Sequence, residues 1–247
     1  MPTPFTHLAY AHQWLNDPRS PIAETSFAQN YLADFLLGSV AADARVPAKD
    51  SRAATHFYTY TTPITEHPWR IMLSENPLLV CPDDPRLRAF VAGYAFHLAM
   101  DEYWSKEMLG PQFAFGTWHS DRVERFYVLH LLLISMDERD RATLPLSDVT
   151  TLPLCQPNHW LPFMSDNILT HWRDFITSQI VGESKTLEIF GSRINLTPEQ
   201  LRPVLDSSEQ MHNLLYQHLT PSFLADFESR MYDFASEQLA MYLRESF

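Results

Sequence analysis

Glycine is scarce in this chain, with 6 residues in 247 against 18 prolines. The glycine-rich loops that cradle nucleotide phosphates therefore have little raw material, and neither a dinucleotide-binding fingerprint nor a P-loop occurs. Cysteine is scarcer still: Cys81 and Cys155 are the only two. That excludes a disulfide framework and a cysteine-rich zinc site, and leaves a pair of unbridged, buried thiols as the expectation. Positive charge is also short, since 18 Lys and Arg face 30 Asp and Glu for a formal net charge of −12. Such a surface repels polyanions at long range, which disfavours nucleic acid as the main partner. No segment approaches the roughly 18 uninterrupted apolar residues of a membrane helix. The amino terminus, MPTPFTHLAY, has no basic region followed by an apolar run of signal-peptide length. A soluble, cytoplasmic protein is expected.

What the chain does have is apolar bulk, 45% hydrophobic and 13% aromatic residues, enough for a sizeable core. The clearest periodic segment covers about 84–109. Asp84 suits an N-cap and Pro85 the first helical position, Leu87, Phe90, Val91, Tyr94, Leu98 and Met108 recur at helical spacing, and Gly110-Pro111 should stop the helix. A second helix is predicted to open at Ser120, with Asp121 and Glu124 in its first turn, and to run through the apolar stretch 126–136 to a charged stop at DERDR. Upstream, helices are predicted over about 5–15 and 26–37, the latter closed by Gly38. Residues 39–61 read as loop with brief helical turns, and Thr62-Pro63 should start a helix that ends before Asn76-Pro77. The Pro-, Ser- and Thr-rich stretch 143–162 reads as a connection. Beyond it, helices are predicted over about 164–180, from Thr197 onward, and from Thr220-Pro221 to about 243. Alternating strand patterns are scarce, so the fold class is all-α. A single helical domain is expected over 1–247, with 1–140 as a metal-binding core and 141–247 as its helical C-terminal portion.

His97 and Asp101, four apart in GYAFHLAMDEYW, project from one helical face. That spacing lets an imidazole and a carboxylate share a metal, and it equally serves a local salt bridge. Three further residues bear on the choice: His7 on the first predicted helix, Asp43 in LLGSVAADAR and His56 in THFY. None is required by packing, and a buried carboxylate or imidazole without a partner is costly. Zinc takes nitrogen and carboxylate oxygen readily. His12, His130, His159 and His171 read as structural or surface residues, and Tyr103 and Trp104 as packing aromatics. No GxSxG elbow is present for a serine hydrolase.

The order of an early His, then LLGSxxxD, THFY and GYxxHxxxD resembles the zinc-dependent phospholipase C family and, more distantly, the S1/P1 nucleases, over roughly residues 1–130. The resemblance implies a zinc phospholipase C-like helical bundle with zinc at the base of a cleft, hydrolysing phosphodiesters. It implies that Asp43, His56, His97 and Asp101 ligate one zinc, that Asp101 bridges to a second held also by His7, and that Asp43 ligates or activates the attacking water. The family's secreted members add their terminal amine, exposed by signal cleavage, whereas six residues precede His7 here. Its third zinc uses a His-x-x-x-Glu pair. His119 stands near that position, but four residues later comes Val123, with Glu124 one step off the face. One or two zinc ions are therefore expected, with a small-molecule or lipid phosphoester as substrate. The alternative is a non-catalytic helical binding or scaffold protein that retains the fold and at most a structural metal.

Overall fold

The computed structural model describes residues 2–245, which are helical almost throughout; a single isolated bridge between Leu161 and Met164 is the only extended pairing among them. The all-α expectation is met. The helices are α1 (Pro4–Asn16), α2 (Ile22–Asn30), α3 (Leu32–Ala41), α4 (Arg45–Ala48), α5 (Arg52–His56), α6 (Pro68–Glu75), α7 (Pro85–Trp104), α8 (Arg122–Thr143), α9 (Leu146–Thr151), α10 (Asp166–Val181), α11 (Thr186–Arg193), α12 (Pro198–Leu205), α13 (Ser208–Met211) and α14 (Pro221–Glu245). Among the described residues no helix is long and apolar enough to cross a membrane.

Helix α7 is the axis of the molecule. Every residue from Ala89 to Glu102 is buried, so it is enclosed on all sides rather than amphipathic. It starts as its sequence suggests, with the Asp84 carboxylate accepting from the Arg86 amide at 2.9 Å and Pro85 at the first position. Helices α3 and α14 make the most extensive packing against it. Buried residues from α1 to α14 form one continuous core, and α14 is tied in further by the Trp69 indole donating to Gln238 at 3.0 Å.

Several expected boundaries are corrected. Gly38 does not close a helix: it lies inside α3, and the break falls at Tyr31 instead (φ −121°, ψ 40°), between α2 and α3. Its role is close approach. A Cβ on Gly38 would sit 2.0 Å from the Phe90 carbonyl oxygen, and one on Gly93 would sit 2.1 Å from that of Phe35, so α3 and α7 touch backbone to backbone. Thr62-Pro63 starts no helix, because Thr59 bonds to the hydroxyls of Thr61 and Thr62 in a local turn, and α6 begins at Pro68. Gly110-Pro111 does not end the chain's helical course after α7. A wider π-helical stretch, Ser105–Ala114, carries it past both residues and closes with the Phe115 amide on the Gly110 carbonyl at 2.9 Å. The run DERDR does not stop α8 either, since Asp137 and Asp140 are buried and partnered: Asp140 accepts from Thr6 at 2.6 Å and from Arg139 at 2.8 Å. Helix α8 ends at Thr143, ahead of Leu144-Pro145. Helix α9 lies within the expected connection, and α11 was not anticipated. Cys155 is buried as expected, whereas Cys81 is exposed.

Candidate metal centre

The crossing of α3 over α7 puts two chain segments within reach of each other. Helix α3 runs on into a tight turn, Ala42–Ala44, that carries Asp43. On α7, His97 donates from Nδ1 to the carbonyl of Ser39 in α3 at 2.9 Å. A carbonyl only accepts, so that bond fixes the proton on Nδ1 and turns the Nε2 lone pair inward. Helix α5 supplies His56. It is capped by Ser51 accepting from the Ala54 amide at 3.3 Å, and closed by Phe57 in the left-handed region (φ 60°). That conformation costs a non-glycine residue roughly 1–2 kcal/mol, offset by the packing of the Phe57 ring on Phe163 at 5.2 Å. The Tyr94 hydroxyl, donating to the Thr55 carbonyl at 2.8 Å, ties α5 to α7, and His56 Nδ1 lies 2.9 Å from the Thr55 hydroxyl. Helix α1 brings His7, whose ring stacks on that of His97 at 3.8 Å.

All five expected residues converge. His56 Nε2 lies 3.2 Å from Asp101 Oδ2, 3.5 Å from His97 Nε2 and 3.6 Å from Asp43 Oδ1, and His97 Nε2 lies 3.7 Å from Asp101 Oδ2. Two ligand atoms bound tetrahedrally to one zinc at its usual bond lengths stand roughly 3.4 Å apart. The three separations among His56, His97 and Asp101 scatter about that value, so these side chains suit one ion with its fourth position open, and Asp43 Oδ1 stands beside them against His56. On the other side of Asp101, His7 Nε2 faces Oδ1 at 3.5 Å. Both nitrogens of His7 and that oxygen are buried without a hydrogen-bond partner, an arrangement a cation would satisfy. The groups His7–His97–Asp101 and Asp43–His56–His97 can each hold a metal ion.

Electrostatics suit this use. Burial, reinforced by neighbouring His7, depresses the pKa of His97 to about 3, leaving a neutral imidazole. Burial opposes ionisation of Asp101, but the Arg52 guanidinium and the imidazoles of His56 and His7 hold it well below the usual carboxylate range. Burial opposes ionisation of Asp43 too, but the hydrogen bond from His56 and the nearness of the His97 and His56 imidazoles together lower it. The neutral imidazole of His97 and the ionised carboxylates of Asp43 and Asp101 are the forms that ligate metal.

Arg52, one turn before His56, was not anticipated as part of this group. Its Nη2 donates to Asp101 Oδ2 at 2.7 Å and to the Tyr58 hydroxyl, and Tyr58 donates in turn to the Asp101 carbonyl at 3.1 Å. Nothing in DSRAATHFY distinguishes this arginine from a surface one. Other histidines lie apart: His119 is exposed and accepts from the Asp121 amide at 3.1 Å, Val123 is 72% exposed, and His130 donates to the Phe126 carbonyl at 2.6 Å. The third-zinc positions therefore do not assemble. Trp104 and Tyr103 pack on Phe227, as expected of structural aromatics.

A cavity of about 800 Å³ opens beside the cluster. Its walls are mainly apolar, with Phe126, Leu133, Trp172 and Phe190 among them, and Asp43 is the one candidate ligand that lines it, next to Arg45. Asp43 is also the only one of the five with measurable exposure, 6% against 0% for the others, so access to the cluster runs past its carboxylate. Comparison with protein-family models, with curated proteins and with solved structures finds no match to this chain.

Proposed function

We propose that this chain is a metal-dependent hydrolase, with zinc as the metal and a phosphodiester or phospholipid headgroup as substrate. The observation that carries the reading is the set of His56, His97 and Asp101 ligand atoms at tetrahedral spacing, with Asp43 beside them at the wall of an apolar cavity. The resemblance of its motifs to the zinc phospholipase C family points the same way. A bound divalent ion supplies a Lewis acid for a phosphoryl oxygen and a water of lowered pKa. His56, His97 and Asp101 hold and orient it from a dry interior. Asp43, at the cavity wall, orients the attacking water and takes its proton. Arg45 and Arg193, both on the cavity lining, offer cations to an anionic ester, while the apolar wall accepts its hydrocarbon part. Zinc suits a donor set of imidazoles and carboxylates without thiolate.

One observation favours the non-catalytic reading: Val123 is exposed where the family carries a ligand, and His119 is exposed and bonded to the Asp121 amide instead of joining the cluster. The two readings separate on protein purified without a metal-binding tag. Metal content is read by plasma mass spectrometry, and turnover on chromogenic phosphodiesters and on phospholipid before and after chelation. The expected result is at least one zinc per chain, with hydrolysis lost on chelation and restored by zinc. Zinc bound without turnover on any of these substrates establishes the scaffold reading, and no zinc even after reconstitution overturns the metal centre.

A further inference from the structure

The guanidinium of Arg52 is buried, 8% exposed at the side chain, and its ion-pair partner is Asp101, which is fully buried. Its Cζ lies 4.4 Å from the ring of Tyr58 and 4.6 Å from that of Tyr60, and Nε and Nη1 have no hydrogen-bond partner. A cation withdrawn from water to this degree is held by its counter-ion and by the aromatic faces. Yet Asp101 is the carboxylate that would have to bridge if two metals were bound.

Charge and ligand supply both bear on how many ions fit. Asp43 and Asp101 contribute two negative charges and Arg52 one positive. One dication brings the group to a net of about +1, which a phosphoester anion neutralises, whereas two bring it to about +3 in a site sheltered from water. The first ion uses His56 Nε2, His97 Nε2 and Asp101 Oδ2, with Asp43 kept for the water. Among the described residues that leaves His7 Nε2 and Asp101 Oδ1, both without a hydrogen-bond partner, as the place for a second ion, and the fixed charge of Arg52 on the same carboxylate opposes its entry.

We propose that Arg52 stands in place of a second metal ion: it supplies the second positive centre, holds Asp101 as a ligand to one ion, and makes the centre mononuclear. Arg52 is thus a positioning residue, acting through Asp101. The inference rests on the metal-centre reading given above, and its test separates the two.

Equilibrium dialysis of the full chain against a series of zinc concentrations, followed by metal analysis, gives the stoichiometry for wild type, Arg52→Gln and Arg52→Lys, with the visible spectrum of the cobalt-substituted forms as a second readout. Wild type and Arg52→Lys should bind one ion with matching cobalt spectra, and Arg52→Gln should take up a second equivalent and change the spectrum. Two ions on wild type overturn the proposal, as does a folded Arg52→Gln that stays at one. Should Arg52→Gln fail to fold, as circular dichroism would show, the wild-type and Arg52→Lys stoichiometries decide. Zinc absent from every form removes the metal centre itself, a result distinct from zinc bound in the wrong number.

Discussion

Asp137 shows how strongly one side chain's surroundings set its chemistry here. It is 2% exposed on α8 and accepts from the Thr186 hydroxyl. Burial raises its pKa from 3.8 to about 6, with hydrogen bonds from Thr186, Thr3 and the Phe5 amide pulling the other way. The folded protein therefore holds this proton more tightly than the unfolded chain between about pH 4 and 6, so stability falls as pH rises through that window. Asp137→Asn removes the penalty. The variant should exceed wild type by up to about 3 kcal/mol at pH 8 and match it below pH 4, as urea unfolding at the two pH values would show. Asp101, equally buried, shifts the opposite way because Arg52 faces it. Residue type alone distinguishes neither case.

At the scale of elements, the contact between α3 and α7 positions the cluster. Gly38 and Gly93 let the two backbones touch, and that contact brings the Ser39 carbonyl to His97 and the Asp43 turn to the end of the α7 ligand face. Gly93→Ala would drive a methyl group into the Phe35 carbonyl, a backbone atom that cannot rotate away. Chemical unfolding should show a loss of at least about 2 kcal/mol, and the variant should hold less zinc than wild type under equal loading. An exposed helical glycine changed to alanine would instead stabilise. The sequence marks Gly38 as a helix end because the usual signal for one is a glycine after an apolar run. Whether such a glycine ends a helix or admits a neighbour depends on a partner 55 residues away, Gly93.

For the whole molecule, the donor atoms come from α1, the turn after α3, α5 and α7, so an ion bound to all of them binds only the folded chain. Zinc at a hundredfold excess over its dissociation constant should add about 2.7 kcal/mol, a rise in Tm of roughly 5–10 °C for a chain of this size. His97→Ala should abolish the zinc-dependent part of that rise in a calorimetric scan. A zinc-induced shift of equal size in the variant would show that the ion binds elsewhere.

The sequence by itself determined the helical class and the placement of His97 and Asp101 on one face of α7, because a 3.6-residue period is a local property of the chain. It also marked His7, Asp43 and His56 as residues that packing does not require. Tertiary structure decided that these five side chains meet, that Asp101 pairs with Arg52, and that Asp43 alone opens onto the cavity. Those outcomes depend on a backbone contact between helices far apart in sequence and on which charges that contact removes from water, and neither is written in any local pattern of residues.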